Sequence, residues 1–454
     1  MMGLYRDQVH WSSEQVPCPI AWHAIHHPDS PAIHRGRDSW TYAELDNRIR
    51  TTEFDSDGHM LVFQEWNSPD LVVRIFSAWR AGKTVLLLNP RLPEQAVHRL
   101  TEELDGRRVS ATVRDQATTS EARYHSVSIA TAMLTSGSTG KPSVVGHSFV
   151  NHISSAYACM SELDMDADDS WLWSLPAFHV GGLSVLWRCF CSGASVVYQP
   201  RQKGPLNLEM GSPSICSVVS TQLSDLVAAQ ICSPTSLKNM IVGGGPLSEG
   251  LLRKALELGY PVRTTFGMTE TTSMVTLSEQ WSKSFESLHA GRALEGVSLT
   301  LGDEGNLIIR GPMVCAGFYE KGEFKAVEAQ KMDSKDQGSL LPDGALQLAG
   351  RSDGVFISGG ENISTGEIER AILAMDDIDS CRVIAVPDER YGRRPVAFVS
   401  PDLGSAYIKT FLRGKLPSFS IPDRFYSFPD LEPGEVKVPS ERLLDIAKRD
   451  LTSP

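Results

Sequence analysis

Residues 135 to 140 read Thr135-Ser136-Gly137-Ser138-Thr139-Gly140, a run of hydroxyl side chains and glycines that follows the apolar Ala132-Met133-Leu134. The apolar lead-in reads as the end of a buried strand, which makes the run a loop at a strand end. Gly137 and Gly140 lack Cβ atoms and let the backbone approach an anion, while successive N–H groups and four side-chain hydroxyls can point at its oxygens. A plain Ser/Gly linker would share this composition. What favours a phosphate loop is the order of motifs around it.

Two familiar phosphate motifs do not apply. A Walker A loop needs glycine at 135 and Ser or Thr after Lys141, where the chain has Thr135 and Pro142. A dinucleotide fingerprint at Gly243-Gly244-Gly245 needs glycine or alanine at 248, where Ser248 stands. The chain also contains no His-Glu-x-x-His pair, so zinc-peptidase chemistry has no motif.

Five segments, taken in order, resemble the AMP-forming acyl-CoA synthetases, the adenylate-forming family that includes luciferases and peptide-synthetase adenylation domains. The run at 135–140 is similar to their phosphate loop, and Thr264-Thr265-Phe266-Gly267-Met268-Thr269-Glu270 to their Tyr-Gly-x-Thr-Glu segment. Gly350-Arg351-Ser352-Asp353 resembles their hinge, Gly359-Gly360-Glu361-Asn362-Ile363 the opening of their C-terminal domain, and Gly434-Glu435-Val436-Lys437 their late lysine. The resemblance spans nearly the whole chain. It implies an α/β protein with a large N-terminal ATP- and acyl-binding domain (1–350) of helix-covered, mostly parallel sheets. A small mobile α+β C-terminal domain (351–454) would carry the catalytic lysine.

Length and charge agree with that expectation. The 454 residues exceed one average domain. The net charge of −12, with no basic excess in either part, argues against nucleic acid or an anionic membrane as partner. Eight cysteines without a Cys-x-x-Cys pair read as reduced core thiols, and Cys189 and Cys191 lack neighbouring residues for a metal site. The first residues lack the apolar core of a signal peptide, so a cytoplasmic protein is expected. Trp171 to Trp187 holds no Lys, Arg, Asp or Glu, but Pro176, His179 and Gly181-Gly182 interrupt it. We read it as a buried strand over 171–175, a loop through His179 and a helix from near Gly182, with no membrane insertion.

Elsewhere short β-rich runs (84–88, 194–198, 240–242) alternate with helical stretches, the pattern of parallel sheets covered on both faces. After Gly243-Gly244-Gly245, Leu247, Leu251, Leu252, Ala255 and Leu258 recur at helical spacing, with Gly259 placed to cap the end. The glycines therefore lie at a strand-to-helix turn, where such sheets gather ligands and where the family places adenine. In Ser364-Thr365-Gly366-Glu367 the spacing is that of a capping box, and Ile368, Ile372 and Met375 continue one apolar face.

The resemblance assigns roles to individual residues. Lys437 would be the principal cation during adenylate formation, and Glu270, with Thr135, would be associated with Mg2+. ATP and AMP would be held by Thr135, Ser136, Gly137, Ser138, Thr139, Gly140, Lys141, Gly243, Gly244, Thr265, Phe266, Gly267 and Thr269. Asp336 would take the ribose hydroxyls, Arg351 a ribose or phosphate oxygen, and Asp353 would be the pivot. His179, in a Pro-x-Phe-His-x-x-Gly pattern shared with the family, would lie beside the acyl pocket with Gly267; the alternative is a core histidine bonded to backbone. ATP, Mg2+ and CoA are the implied cofactor and co-substrates, a small-molecule carboxylic acid is the implied partner, and a homo-oligomer stays open.

Departures from the family pattern are specific. The usual lysine after the loop is Ser143 here, with Lys141 two residues earlier, and Phe266 replaces a tyrosine. Ser174-Leu175-Pro176-Ala177-Phe178-His179-Val180-Gly181-Gly182, followed by Trp187-Arg188 and by Thr221-Gln222-Leu223, most resembles a branch acting on an aromatic dicarboxylate. Arg188 could then face the distal carboxylate, or it could be a structural ion-pair arginine. Another aryl or medium-chain acid, or a nucleotide-binding protein without turnover, are the competing readings.

Overall fold

The computed structural model describes residues 13–36, 38–92, 94–113, 122–135, 143–245, 247–303, 305–351, 354–358, 361–388, 392–413, 415–431 and 438–452. Two seven-stranded sheets form most of the larger part of the chain. In the first, Gly106–Arg108, Met60–Phe63, Thr84–Leu87 and Ile129–Thr135 run parallel, and Ser143–Ser148, Gly317–Glu320 and Glu323–Ala326 continue it antiparallel. In the second, Val262–Thr264, Asn239–Val242, Ile215–Val218, Ser170–Leu172, Ser195–Tyr198 and Pro31–Arg35 are parallel, with Asp38–Thr41 as an antiparallel edge. A four-stranded antiparallel sheet (Ser298–Leu301, Asn306–Arg310, Lys331–Leu340, Leu346–Arg351) follows.

Helices between the two large sheets close the core. Helices Pro69–Arg80, Phe149–Leu163 and Val180–Ser192 contribute Trp79, Phe149 and Trp187, whose rings meet at 5.0 Å (Trp79 with Trp187) and 5.8 Å (Trp79 with Phe149). Helix Val180–Ser192 is buried on nearly every side, which explains why 180–187 carries no Lys, Arg, Asp or Glu. Among the described residues no helix is long and apolar enough to cross a membrane.

Two boundaries differ from expectation for local reasons. The strand expected over 171–175 is Ser170–Leu172, because Ser174 N turns back to donate to Leu172 O at 2.9 Å. The following helix starts at Val180 rather than Gly182, with His179 at its N-cap. Seven cysteines are buried thiols, but Cys232 is exposed, which corrects the expectation that all sit in the core.

The last part of the chain has a core of its own. Helix Thr365–Leu373 packs Ile368 and Ile372 with Phe356, Ile378, Val383, Val399 and Ile408, against strands Ser380–Asp388, Gly392–Ser400 and Arg424–Ser427. The Ser364 hydroxyl accepts from Glu367 N at 3.3 Å, which starts that helix where the capping spacing predicts. Helix Ser440–Thr452 covers the other face through Leu443 and Ala447. The fold is therefore a large mixed α/β unit followed by a small α+β unit.

His23, on helix Pro19–His26, is 5% exposed beside the Tyr42 ring, and burial, then His27 and His26, hold its pKa down to about 3. It is neutral in the fold but protonated in the unfolded chain below about pH 6.5, so the unfolded state binds the extra proton and stability falls on acidification. Between pH 7 and pH 5 this one group should remove about 2 kcal/mol. Denaturant midpoints at the two pH values should show a drop that shrinks in His23→Gln; an unchanged drop would count against it.

Candidate active site

Val218, Val242 and Thr264 end neighbouring parallel strands of the second sheet, and the loops beyond them meet. Gly243 N donates to Val218 O at 3.2 Å and Thr265 N to Val242 O at 3.1 Å, so each loop starts in register with its neighbour. A Cβ on Gly243 would stand 2.6 Å from Thr265 Cγ2, and Gly244 has φ +76°. Gly243, Gly244 and Thr265 thus share one sheet edge, as the motif spacing implies. The helix after the glycines is Glu249–Glu257, with Leu251, Leu252 and Ala255 buried and Gly259 at φ +83° beyond its end.

Beyond Thr265 the chain doubles back. Gly267–Met268 pairs antiparallel with Ser273–Met274, and a Cβ on Gly267 would come 2.1 Å from Ser273 O. Glu270 sits in the turn Thr269–Thr271, and Thr272 and Ser273 take φ of 53° and 106°, conformations that L residues rarely adopt. Side-chain and backbone groups beneath hold this turn. Ser155 donates to Thr272 O at 2.9 Å, Thr272 Oγ1 to Met313 O at 2.7 Å, and Cys315 N to Glu270 O at 2.8 Å. His147 Nε2 donates to Thr269 O at 2.7 Å. Burial pushes the Cys315 thiol up to about 12, with the Glu270 charge adding to it. The Phe266 ring is 9% exposed and packs in the main core.

Arg188 lies under the same hairpin. Its side chain is 1% exposed, Nη2 donates to Ser273 Oγ at 3.0 Å, and the guanidinium sits 5.2 Å from the Trp171 ring centre. Nε is buried without a hydrogen-bond partner, and among the described residues no carboxylate pairs with it. The ion-pair alternative for Arg188 therefore has no partner among those residues. A buried cation in this state is costly unless an anion joins it.

His179 is exposed, which removes the buried-core alternative for it. Its ring lies 4.9 Å from Phe178, at the mouth of the loop 173–179. Asn67 pins that loop: Nδ2 donates to Leu175 O at 2.8 Å, and Oδ1 accepts from Ala177 N at 2.7 Å. Gly182 passes so close to the loop that a Cβ would stand 2.1 Å from Pro176 O.

Asp336 is on a strand, not in a plain loop, and its register partner is Arg351, so the two candidate ribose contacts are adjacent across strands Lys331–Leu340 and Leu346–Arg351. Thr135 ends strand Ile129–Thr135 opposite Ser143, which brings together the two ends of the loop between them. Ser136, Gly137, Ser138, Thr139, Gly140, Lys141, Asp353 and Lys437 lie outside the described residues. Asn67, His147 and Ser155 have no signal in the sequence, because each acts through a neighbour's backbone rather than through a motif.

Against known proteins, the profile described as AMP-binding enzyme matches residues 102–319, and that of the AMP-binding enzyme C-terminal domain matches 367–433. Together they span more than half of the chain. The 2-succinylbenzoate–CoA ligase of Enterococcus faecalis is 29% identical over 461 residues, covering 90% of this chain and 94% of its own. An Escherichia coli MenE variant with bound OSB-AMS has a TM-score of 0.84 at 24% identity, covering 96% and 99% of the two chains. The Bacillus subtilis o-succinylbenzoate coenzyme A synthetase in complex with ATP and magnesium ion has a TM-score of 0.78 at 23% identity, covering 92% and 97%.

The glycine geometry separates neighbouring substitutions. A Cβ meets Thr265 at Gly243 and backbone at Gly267, but nothing within 4 Å at Gly245. Gly243→Ala and Gly267→Ala should weaken AMP binding at least tenfold by calorimetry, and Gly245→Ala should leave it within about threefold. Equal losses at all three positions would refute this reading of the edge.

Proposed function

We propose that this chain, which belongs to the family of AMP-binding enzymes, is an AMP-forming acid:CoA ligase. Its reaction converts o-succinylbenzoate, ATP and CoA to o-succinylbenzoyl-CoA, AMP and pyrophosphate, a step of menaquinone or phylloquinone synthesis. The observation that carries the choice of acid is Arg188, a buried guanidinium without a carboxylate partner among the described residues, set beneath the hairpin at Gly267. A second carboxylate on the substrate supplies the missing charge. The similarity to 2-succinylbenzoate–CoA ligases over most of the chain supports the same acid.

A carboxylate is a poor acyl donor because its leaving group would be an oxide. In the first half-reaction a carboxylate oxygen of the acid bonds to the α-phosphorus of ATP, and pyrophosphate departs with the electron pair. Negative charge then spreads over the equatorial oxygens, where fixed cations and N–H donors lower the barrier. Lys437 is the cation we assign to the acid carboxylate, the α-phosphate and the ribose oxygen. The loop from Thr135 to Lys141 holds the departing phosphates. Gly243, Gly244, Thr265 and Phe266 frame the adenine, Asp336 and Arg351 take the ribose, and His179 and Gly267 line the acyl position. In the second half-reaction the CoA sulfur bonds to the acyl carbon and AMP leaves.

The donor set fits magnesium. Glu270 and Thr135 offer hard oxygens, and no cluster of three His, Cys, Asp or Glu occurs among the described residues, so the nucleotide's own phosphates would complete the shell. Held there, the ion would offset triphosphate charge. We divide the chain at Arg351 into an ATP- and acyl-binding domain (1–350) and a mobile domain (351–454) turning at Asp353. The water-soluble substrates fit a cytoplasmic site of action.

Mass spectrometry of products from ATP, CoA and o-succinylbenzoate should find o-succinylbenzoyl-CoA; turnover of aryl monocarboxylates alone would replace this acid with another. Arg188→Ala should raise KM for the dicarboxylate at least tenfold while leaving an aryl monocarboxylate little changed, since only the former presents the second charge. Lys437→Ala should lower adenylate formation by about three orders of magnitude yet leave thioester formation from supplied acyl-adenylate largely intact. Equal loss in both halves would remove Lys437 from the role.

A further inference from the structure

His147 is fully buried in strand Ser143–Ser148, directly opposite Thr131 of strand Ile129–Thr135. Its Nε2 lies 2.7 Å from Thr269 O, and a carbonyl only accepts, so Nε2 carries the hydrogen. Nδ1 lies 3.2 Å from Thr131 Oγ1, which in turn lies 2.8 Å from His152 Nε2. With neutral rings one arrangement satisfies all three contacts: His152 Nε2–H donates to Thr131, Thr131 donates to His147 Nδ1, and His147 donates to Thr269. It leaves His152 Nδ1 bare, and that atom is the buried one without a partner. The His152 ring is fixed by stacking on Trp187 at 5.4 Å and 8°.

This chain of donors connects three elements. Thr131 lies on the strand that enters the loop at 136–142, His147 on the strand that leaves it, and Thr269 precedes Glu270 in the turn beyond Gly267. Nothing else described ties the strands flanking that loop to the Thr269 carbonyl by a side-chain hydrogen bond.

We propose that His147 is a positioning residue that fixes the Thr269–Glu270 turn against strand Ser143–Ser148, and so sets the affinity for metal-complexed nucleotide without touching it. The proposal rests on the reading of Glu270 as the magnesium-associated carboxylate. An apolar side chain at 147 would leave the Thr269 carbonyl with only the Thr272 N–H at 3.1 Å, inside its own turn, and would cut the side-chain tie from that turn to strand Ser143–Ser148, so the turn would be free to shift. Glutamine can place its amide N–H near the position of Nε2.

Calorimetric titration separates this role from a general one. His147→Leu should weaken binding of ATP in the presence of Mg2+ roughly ten- to a hundredfold, and leave AMP binding in EDTA within roughly threefold. His147→Gln should restore most of the lost affinity. Acid-dependent pyrophosphate release should fall in parallel in His147→Leu, while thioester formation from supplied acyl-adenylate persists. Should His147→Leu fail to fold by its melting curve, the near-isosteric Thr131→Val carries the test, with a smaller loss confined to the Mg2+–ATP titration. Unchanged Mg2+–ATP affinity, or equal loss for AMP without metal, overturns the proposal. Wild-type protein that binds Mg2+–ATP but releases no pyrophosphate with any acid overturns the ligase reading instead.

Discussion

The turn from Gly267 to Met274 can exist only because side chains beneath it supply what its backbone lacks. Thr272 and Ser273 lie in the positive-φ region, at 53° and 106°, where each non-glycine residue costs of the order of 1–3 kcal/mol. Their carbonyls and hydroxyls are then fixed by Ser155, Arg188 and the backbone of Met313, each bond contributing about 1 kcal/mol net. Leaving one of these buried groups unmet would cost more than the bond contributes, so the strained turn and its supports stand or fall together. That dependence explains why the helices behind the sheet carry Ser155, Ser184 and Arg188 as buried polar groups.

Arg188 makes the dependence chemical as well as structural. A guanidinium has five N–H donors, and here one meets Ser273 while Nε meets nothing. Its stem and plane are sheltered by Trp171, so packing alone can retain the residue, but packing does not neutralise the charge. On the proposed roles of Arg188 and Lys437, a dianionic acid would bind by two separate cations, one fixed within the core and one brought from the C-terminal unit. A monoanion would satisfy only one of them, which is how such a pocket discriminates by leaving a buried charge unpaired.

Much of this was legible in the residues, and the limits of legibility have physical causes. Helix Glu249–Glu257 and the Ser364 cap were readable because periodicity and capping act over three or four residues. The end of the strand at Leu172 was not, since it depends on how Ser174 folds back and on Asn67, over a hundred residues away, holding the next loop. The adjacency of Asp336 and Arg351 depends on strand register, which an irregularity between Gln337 and Gly338 shifts. His147 reads as one more position in a β-rich run, because a donor that serves a carbonyl 122 residues on leaves no local pattern.

The role proposed for Lys437, close to the nucleotide in one half-reaction and withdrawn in the next, needs a carrier that detaches cheaply, and the contacts of the smaller unit suit that need. Where Asp376 to Asp379 meet the larger unit, Asp379 accepts from Ser224 at 3.3 Å and pairs at 3.6 Å with Lys254, whose side chain is 45% exposed. At this separation, with the lysine half exposed and Asp379 20% exposed, the pair contributes about 1 kcal/mol. Gly250 lies against the Asp376 carbonyl, where a Cβ would stand only 2.5 Å away, so at this point the surfaces touch through backbone. The hydrophobic clusters of the two units are separate, and rotation at this contact would not expose a core. Had the two cores been continuous, every swing would have opened apolar surface at about 25 cal/mol per Å2, and the same lysine could not have served and then left the site within a catalytic cycle.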